Sequence, residues 1–242
     1  MQITLDEGYQ FGLGVFETIA IQRGAPLFLD WHLKRLNHSV EELHIKQPSV
    51  EKFQVLSWLS SQRTKGCGMK IMVSDENIIF TLRPNPYTPE KIQAGFRLAY
   101  SSVYRNETSP LVRHKTFNYG DCILERRRAT ASGEDERIFC NSRGEICEGT
   151  ATNIFFAQNG RLYTPPTSCG LLPGILRRFI LEHFSVTERI ITKENALHME
   201  ECFVTNSLMG VMPVHTLGEK SYLSGPVTRS CMEAYASSCK VF

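Results

Sequence analysis

The sequence predicts a mixed α+β chain in two domains, a small N-terminal α+β domain at 1–84 and a larger one at 90–242. Three observations predict this. Apolar runs of period two alternate with runs of helical period on both sides of residue 85, so neither an all-helical nor an all-strand chain fits. Arg83-Pro84-Asn85-Pro86-Tyr87-Thr88-Pro89 carries three prolines in seven residues; they remove backbone donors and fix φ, so 85–89 reads as a linker. The 242 residues, 42% hydrophobic and 21% charged, suffice for one compact unit or two small domains with full cores.

Taken in order, Phe16 to Ile21 and Leu27 to Leu29 read as strands around a glycine-containing turn, with Phe16, Thr18 and Ala20 on one face. Asp30 reads as the N-cap of a helix whose apolar positions are Leu33, Leu36, Val40 and Leu43. A second helix, about 50–62, presents Phe53, Leu56 and Leu59, and strands at 69–73 and 78–82 close this part. Beyond the linker, a strand at 96–103 leads through a polar loop to Lys115 and a helix at 119–131. Residues 138–141 and 145–147 read as a hairpin around Ser142-Arg143-Gly144. A strand near 187–191, a short polar helix at 193–199, an apolar strand at 202–205 and a C-terminal amphipathic segment complete the chain.

The formal charge of +2 and the scattered basic residues argue against a nucleic-acid stripe; Arg126-Arg127-Arg128 reads as a solvated helix face. Eight cysteines without a C-x-x-C pair or a histidine at metal-ligand spacing read as reduced thiols, several of them core, with no metal expected. The start lacks a basic and apolar leader, and no window reaches the length of a membrane span. The expectation is a cytoplasmic protein with a small-molecule substrate and neither nucleic acid nor membrane as partner.

The stretch from Glu148 to Arg177 carries the chemistry. An acid is followed by the small residues Gly149, Thr150 and Ala151, where backbone can lie against something flat. Asn153 to Phe156 is apolar apart from its leading amide, Asn159-Gly160 offers the two positive φ values of a tight hairpin, and Leu162 to Thr164 returns. Gly174, after Pro173, opens a segment of helical period, so the N–H groups of Ile175 and Leu176 project from a helix start that favours phosphate. An acid, a close backbone approach, a phosphate cradle and a lysine on another segment are the parts that hold pyridoxal phosphate.

E-G-T-A-T-N-I-F, L-Y-T and L-P-G-I-L-R at these spacings resemble the signature of the class IV aminotransferases. The resemblance spans roughly 9–215 and implies the two-domain fold type IV of pyridoxal-phosphate enzymes, similar to D-amino-acid aminotransferase, with the cofactor between the domains and a homodimeric assembly. It implies that Lys115, in K-T-F-N-Y, attaches the cofactor covalently and that Glu148 holds the ring nitrogen protonated. Arg35, in W-H-L-K-R-L, resembles the family's H-x-x-R-L phosphate arginine, a role that suits a guanidinium fork. Gly174, Ile175 and Leu176 would add main-chain donors. Asn206 and Ser207 resemble a second phosphate-side loop, Tyr119 is a candidate for the ring hydroxyl, and Ala151 is a further cofactor contact. Asn153 reads as a buried structural amide, and the histidines receive no specific role.

The shared cofactor site does not separate the family's branched-chain and D-amino-acid aminotransferases, (R)-amine transaminases and 4-amino-4-deoxychorismate lyases. Three features are similar to the lyases: the K-T-F-N spacing, the N-S-L-M-G-V-M-P-V run, and Thr18 in G-V-F-E-T, where branched-chain enzymes carry glycine. The expected activity is therefore elimination of pyruvate to form 4-aminobenzoate for folate synthesis, with Thr18 and Lys115 as catalytic residues. The alternatives are a class IV aminotransferase and a cofactor-binding protein without catalysis; the joint presence of Lys115, Glu148 and Arg35 argues against the last. One departure stands out: between Met69 and Leu82 the only basic residue is Lys70, where many lyases and D-amino-acid enzymes carry arginines for substrate carboxylates. Arg97, Arg105 and Arg113 are candidates to replace them.

Overall fold

A computed structural model of the chain describes residues 2–63 and 67–239; the end of the expected 90–242 domain lies outside them. The chain forms two compact units, the first running to Pro86 and the second from Tyr87. The segment His114–Tyr119, expected in the larger domain, groups with the first unit instead, and the second unit resumes at Gly120.

In the first unit, α1 (Glu7–Phe11) precedes β1 (Val15–Gln22), β2 (Ala25–Pro26), α2 (Leu29–Glu42), α3 (Lys52–Ser60), β3 (Cys67–Ser74) and β4 (Asn77–Pro84). Among the described residues these strands pair in the order β2-β1-β3-β4. One sheet face, with Ile19, Ile21, Met69, Ile71 and Val73, forms a core with Leu33, Leu36 and Val40 of α2. The expected strand at 27–29 is absent, because Leu29 is buried as the first helical residue. Asp30 is not the N-cap; it lies in the first turn and pairs with Lys52 at 2.9 Å. The core side of α3 is Val55 and Leu59, whereas Phe53 and Leu56 face outward. Their spacing is helical, but Val55 takes the inward position.

The second unit contains α4 (Pro89–Ala94), β5 (Phe96–Arg105), α5 (Gly120–Ala131), β6 (Glu136–Asn141), β7 (Ile146–Gly149), β8 (Asn153–Gln158), β9 (Arg161–Thr164), α6 (Ile175–His183), β10 (Val186–Glu188), α7 (Lys193–Leu197), β11 (Glu201–Asn206), β12 (Gly210–Leu217), β13 (Lys220–Ser221) and α8 (Pro226–Ser238). The described strands run β10-β9-β8-β11-β12-β5-β6-β7, and β7 also pairs with β8. The sheet therefore closes on itself through Glu148 opposite Asn153, and the motif's acid stands at the closure. Strand β8 is buried on both faces: Ile154 and Phe156 enter one core while Phe155 stacks on Phe203 with centroids 4.9 Å apart. This explains an apolar run without alternation. The Asn159-Gly160 turn has φ of 50° and 70°, the left-handed pair a tight hairpin needs.

Helix α4 occupies what read as the end of the linker; Thr88 caps it by accepting from the Lys91 N–H. All eight cysteines are buried and unbridged. Among the described residues no helix is long and apolar enough to cross a membrane.

Candidate active site

Lys115 owes its position to a strand-like return against β1. The Phe16 N–H donates to the Lys115 carbonyl at 2.8 Å and the Phe117 N–H to Gly14 at 2.8 Å, with Val15 bridged to Thr116. A Cβ on Gly14 would lie 2.4 Å from the Phe117 ring, so the close approach requires glycine. Asn118 donates to the Gly12 carbonyl at 3.0 Å. The Lys115 Nζ then stands 4.5 Å from the centre of the Phe16 ring and 5.2 Å from that of Tyr119, and the two rings meet edge to face at 5.3 Å. Aromatic faces stabilise an ammonium group without neutralising it. Thr18 lies two residues along the strand from Phe16, on the same side of the sheet and half-buried, so it shares a strand face with the ring that Lys115 meets.

The opposite face of β1 carries a buried ion cluster that sequence reasoning missed. Glu17 accepts from Arg35 Nε at 2.7 Å and Nη2 at 2.8 Å, and its other contact is His32 Nδ1 at 2.7 Å. His32 and Arg35 sit three apart on α2, so both reach one carboxylate. Arg35, expected on phosphate, thus has one edge on Glu17. A guanidinium has more donors than one carboxylate engages, so this pairing orients Arg35 and is compatible with phosphate binding. The histidine, given no role from sequence, is a structural partner of this pair.

Burial alone would raise the Glu17 carboxyl, but Arg35 and His32 together hold it far below the usual carboxylate range. Burial lowers His32. Both groups bind fewer protons folded than unfolded, so their contribution is present above the unfolded values, about 4.3 and 6.5, and is lost as pH falls. Glu17→Gln leaves a buried cation without its carboxylate and costs about 3–5 kcal/mol, on the order of a 10 °C drop in Tm for a chain this size. Thermal melts at pH 7.5 and 5 check both statements: the wild type loses stability between them, and an unchanged Tm in the variant would remove the cluster's assigned role.

In the second unit, Glu148 at the end of β7 is 6% exposed. Its Oε1 accepts from Arg105 Nη2 at 2.9 Å and its Oε2 from the Leu172 N–H at 3.1 Å. Arg105 in turn lies 4.3 Å from the centre of the Phe139 ring. Both carboxylate oxygens are therefore oriented by donors from other segments. The small residues that follow are explained differently from the sequence expectation. Buried Glu136 accepts from the Thr150 N–H at 3.0 Å and the Ala151 N–H at 3.2 Å, and a Cβ on Gly149 would lie 2.2 Å from Thr152 Oγ1. Gly149 and Thr150 are small because the turn folds around Glu136, and the Ala151 N–H is directed at that carboxylate. Nothing in the polar sequence before the 138–141 strand marked Glu136, the first residue of β6, for this task.

Gly174 is the N-cap of α6 and supplies no side-chain cap to the helix that Ile175 and Leu176 open, a start whose amides suit an anion. Their side chains are buried at 4% and 2%, so only main chain is offered. Asn153 is the buried amide expected, donating to the Leu172 carbonyl at 2.9 Å. Asn206 ends β11 and Ser207 opens the turn at 207–209 that leads into β12. Asn206 Oδ1 accepts from the Leu208 and Met209 N–H groups at 3.0 Å and its Nδ2 donates to Tyr87 at 3.3 Å. The Asn206 side chain builds the tight β11–β12 turn that carries Ser207.

The profile of the class IV amino-transferase family matches residues 14–217, which include every element described for this site. The chain belongs to the class IV aminotransferase family. Among class IV relatives, the aminodeoxychorismate lyase of Bacillus subtilis is 26% identical, with 97% of this chain and 88% of that protein covered. The D-alanine aminotransferase of Bacillus licheniformis is 27% identical over 96% and 90%. The crystal structure of 4-amino-4-deoxychorismate lyase from Pseudomonas aeruginosa superposes with a TM-score of 0.90 at 24% identity, covering 98% of this chain and 95% of that one, a likeness of fold. The mixed α+β architecture expected from sequence is that of the fold type IV enzymes, and the chain is an enzyme of this family.

Residues of the second unit fit the cofactor that the family implies. The α6 start offers amides without a side-chain cap, and the oriented carboxylate of Glu148 matches a ring-nitrogen partner.

Proposed function

We propose that this enzyme is a pyridoxal-phosphate-dependent 4-amino-4-deoxychorismate lyase that releases pyruvate and forms 4-aminobenzoate for folate synthesis, acting as a cytoplasmic homodimer. The observation that carries the reading is Thr18: a half-buried hydroxyl on the face of β1 whose Phe16 ring also holds the Lys115 ammonium. When bound, pyridoxal phosphate supplies an electron sink. Lys115 would hold it covalently, and its amine would take the C4 proton of the substrate. Glu148 keeps a proton on the ring nitrogen, with its oxygens fixed by Arg105 and the Leu172 amide. The amides of Ile175 and Leu176 at the Gly174 cap, Arg35 and the Ser207 hydroxyl would each serve as phosphate donors, and Tyr119 would serve the ring hydroxyl. Asn206 acts through the turn it builds. Thr18 donates to the ether oxygen as pyruvate leaves C3. Because the product is aromatic, the protein's task is mainly positioning.

Two wild-type assays decide the reaction: pyruvate released from aminodeoxychorismate, and transamination of D- or branched-chain amino acids with 2-oxoglutarate. Pyruvate release is expected. Ordinary transamination without it would replace the lyase reading with the aminotransferase one. Thr18→Gly removes one transition-state donor and should cost about 2–4 kcal/mol, on the order of a hundredfold in 4-aminobenzoate formation. Cofactor absorbance and affinity should stay near wild type; a variant that turns over normally would take Thr18 out of the mechanism.

A further inference from the structure

The two donors that hold Glu148 come from segments that cross one another within the second unit. Arg105 ends β5, and Glu107 follows it by two residues. On the other segment Leu172 follows Gly170 by two. At the crossing Gly170 has φ of +88°, and a Cβ there would lie 2.7 Å from the Glu107 Cα and 2.9 Å from its Cβ. A main-chain atom cannot swing aside as the end of a side chain can, so the position demands glycine for space and for conformation. The separation of the two segments is therefore set two residues away from each donor.

Both segments are anchored by the 141–145 hairpin that joins β6 to β7. Glu107 Oε1 accepts from the Ser142 hydroxyl at 2.6 Å and from Arg143 Nη1 at 2.7 Å, and its Oε2 from the Ser142 N–H at 3.3 Å. On the other segment the Cys169 carbonyl accepts from Asn141 Nδ2 at 3.2 Å and from Cys147 Sγ at 3.0 Å. Glu145 ties the two anchors together, accepting from Asn141 Nδ2 at 2.6 Å and from Arg143 Nη2 at 2.7 Å. The hairpin runs directly into β7, which ends in Glu148 and Gly149. One short stretch of chain thus carries the acid and holds both segments that grip it.

We propose that Glu107 and Gly170 are positioning residues for Glu148: their crossing sets the geometry in which Arg105 and the Leu172 amide meet its carboxylate, and thereby the proton on the cofactor's ring nitrogen. This rests on Glu148 as the ring-nitrogen partner and holds for a lyase or an aminotransferase alike. A buried carboxylate keeps its charge when donors face it and otherwise takes up a proton itself. With both donors in place the proton is left to the ring nitrogen; with the crossing displaced, acid and nitrogen compete for it. Arg105, offered from sequence as a partner for substrate carboxylates, is engaged in this task.

The test compares the cofactor-loaded wild type with Gly170→Ala, Glu107→Gln, Glu148→Gln and Glu201→Gln. Gly170→Ala widens the crossing. Glu107→Gln keeps the shape and turns an amide NH2 toward the donors of Ser142 and Arg143, so it decides alone if the alanine variant fails to fold. Glu201 caps α8, accepting from the Val227 and Thr228 N–H groups, and its glutamine variant reports what loss of stability alone does. In both crossing variants the pH titration of the cofactor's absorbance should move in the same direction as in Glu148→Gln, and by less. Their kcat should fall about tenfold to a hundredfold with KM within about threefold of wild type, and hydrogen exchange at the Leu172 amide should quicken about tenfold or more. Glu201→Gln should lower Tm and leave both the titration and the Leu172 exchange in place. A wild-type titration in both crossing variants, with that of Glu148→Gln displaced, overturns the proposal, as does an equal displacement in Glu201→Gln. A Glu148→Gln titration that does not move overturns the ring-nitrogen reading alone; Leu172 exchange then decides the crossing, and unchanged exchange in both variants sinks it.

Discussion

Lys115→Ala should abolish turnover by at least about a thousandfold, since it removes both the covalent attachment and the proton-transferring amine. Borohydride treatment followed by dialysis should then leave the variant without fixed cofactor. The return segment holds the main chain at 115 through the 2.8 Å bond to Phe16, so the fold should survive the substitution. The variant should melt near the wild type, and free cofactor should still bind through its phosphate. Cofactor fixed by borohydride on the alanine variant would move the attachment to another lysine; Lys70, at the same Phe16 ring, is the one to examine.

Glu148→Gln should retain cofactor and lose about a hundredfold to a thousandfold in kcat. A neutral amide cannot sustain the proton on the ring nitrogen, and the electron sink weakens with it. The substitution is nearly isosteric, and the amide oxygen can accept from either Arg105 or the Leu172 amide. Arg105 then loses a charged partner, so a stability loss of about 1–3 kcal/mol accompanies the kinetic one. Absorbance titration with pH separates the two effects, because a folding defect leaves the cofactor's own titration in place while loss of the carboxylate shifts it. A glutamine variant with near-wild-type rates and an unshifted spectrum would deny Glu148 its role.

The first strand shows where sequence reasoning reached and where it stopped. Alternation placed Phe16, Thr18 and Ala20 together, and the structure keeps them on the side away from Ile19 and Ile21, because a period of two survives any packing. Glu17 lies between them in the same run, yet its partners come from α2, and only the docking of that helix reveals a buried three-residue cluster. Phe53 and Leu56 illustrate the converse: helical period is local, but which stripe of α3 turns inward depends on the surface it meets.

The sequence by itself determined the local elements of one contiguous motif: the acid Glu148 in a strand, the turn at Asn159-Gly160 and the helix start at Gly174. Their spacing is imposed by local backbone geometry, which neighbours in the chain dictate. Tertiary structure alone decided what is brought together from distant segments. Arg105 orients Glu148, Glu136 gathers the amides of Thr150 and Ala151, residues 114–119 join the first unit to place Lys115 against Phe16, and Glu107 meets Ser142 and Arg143. Each is a long-range pairing of polar or charged groups, and no local periodicity encodes the partner of a buried charge.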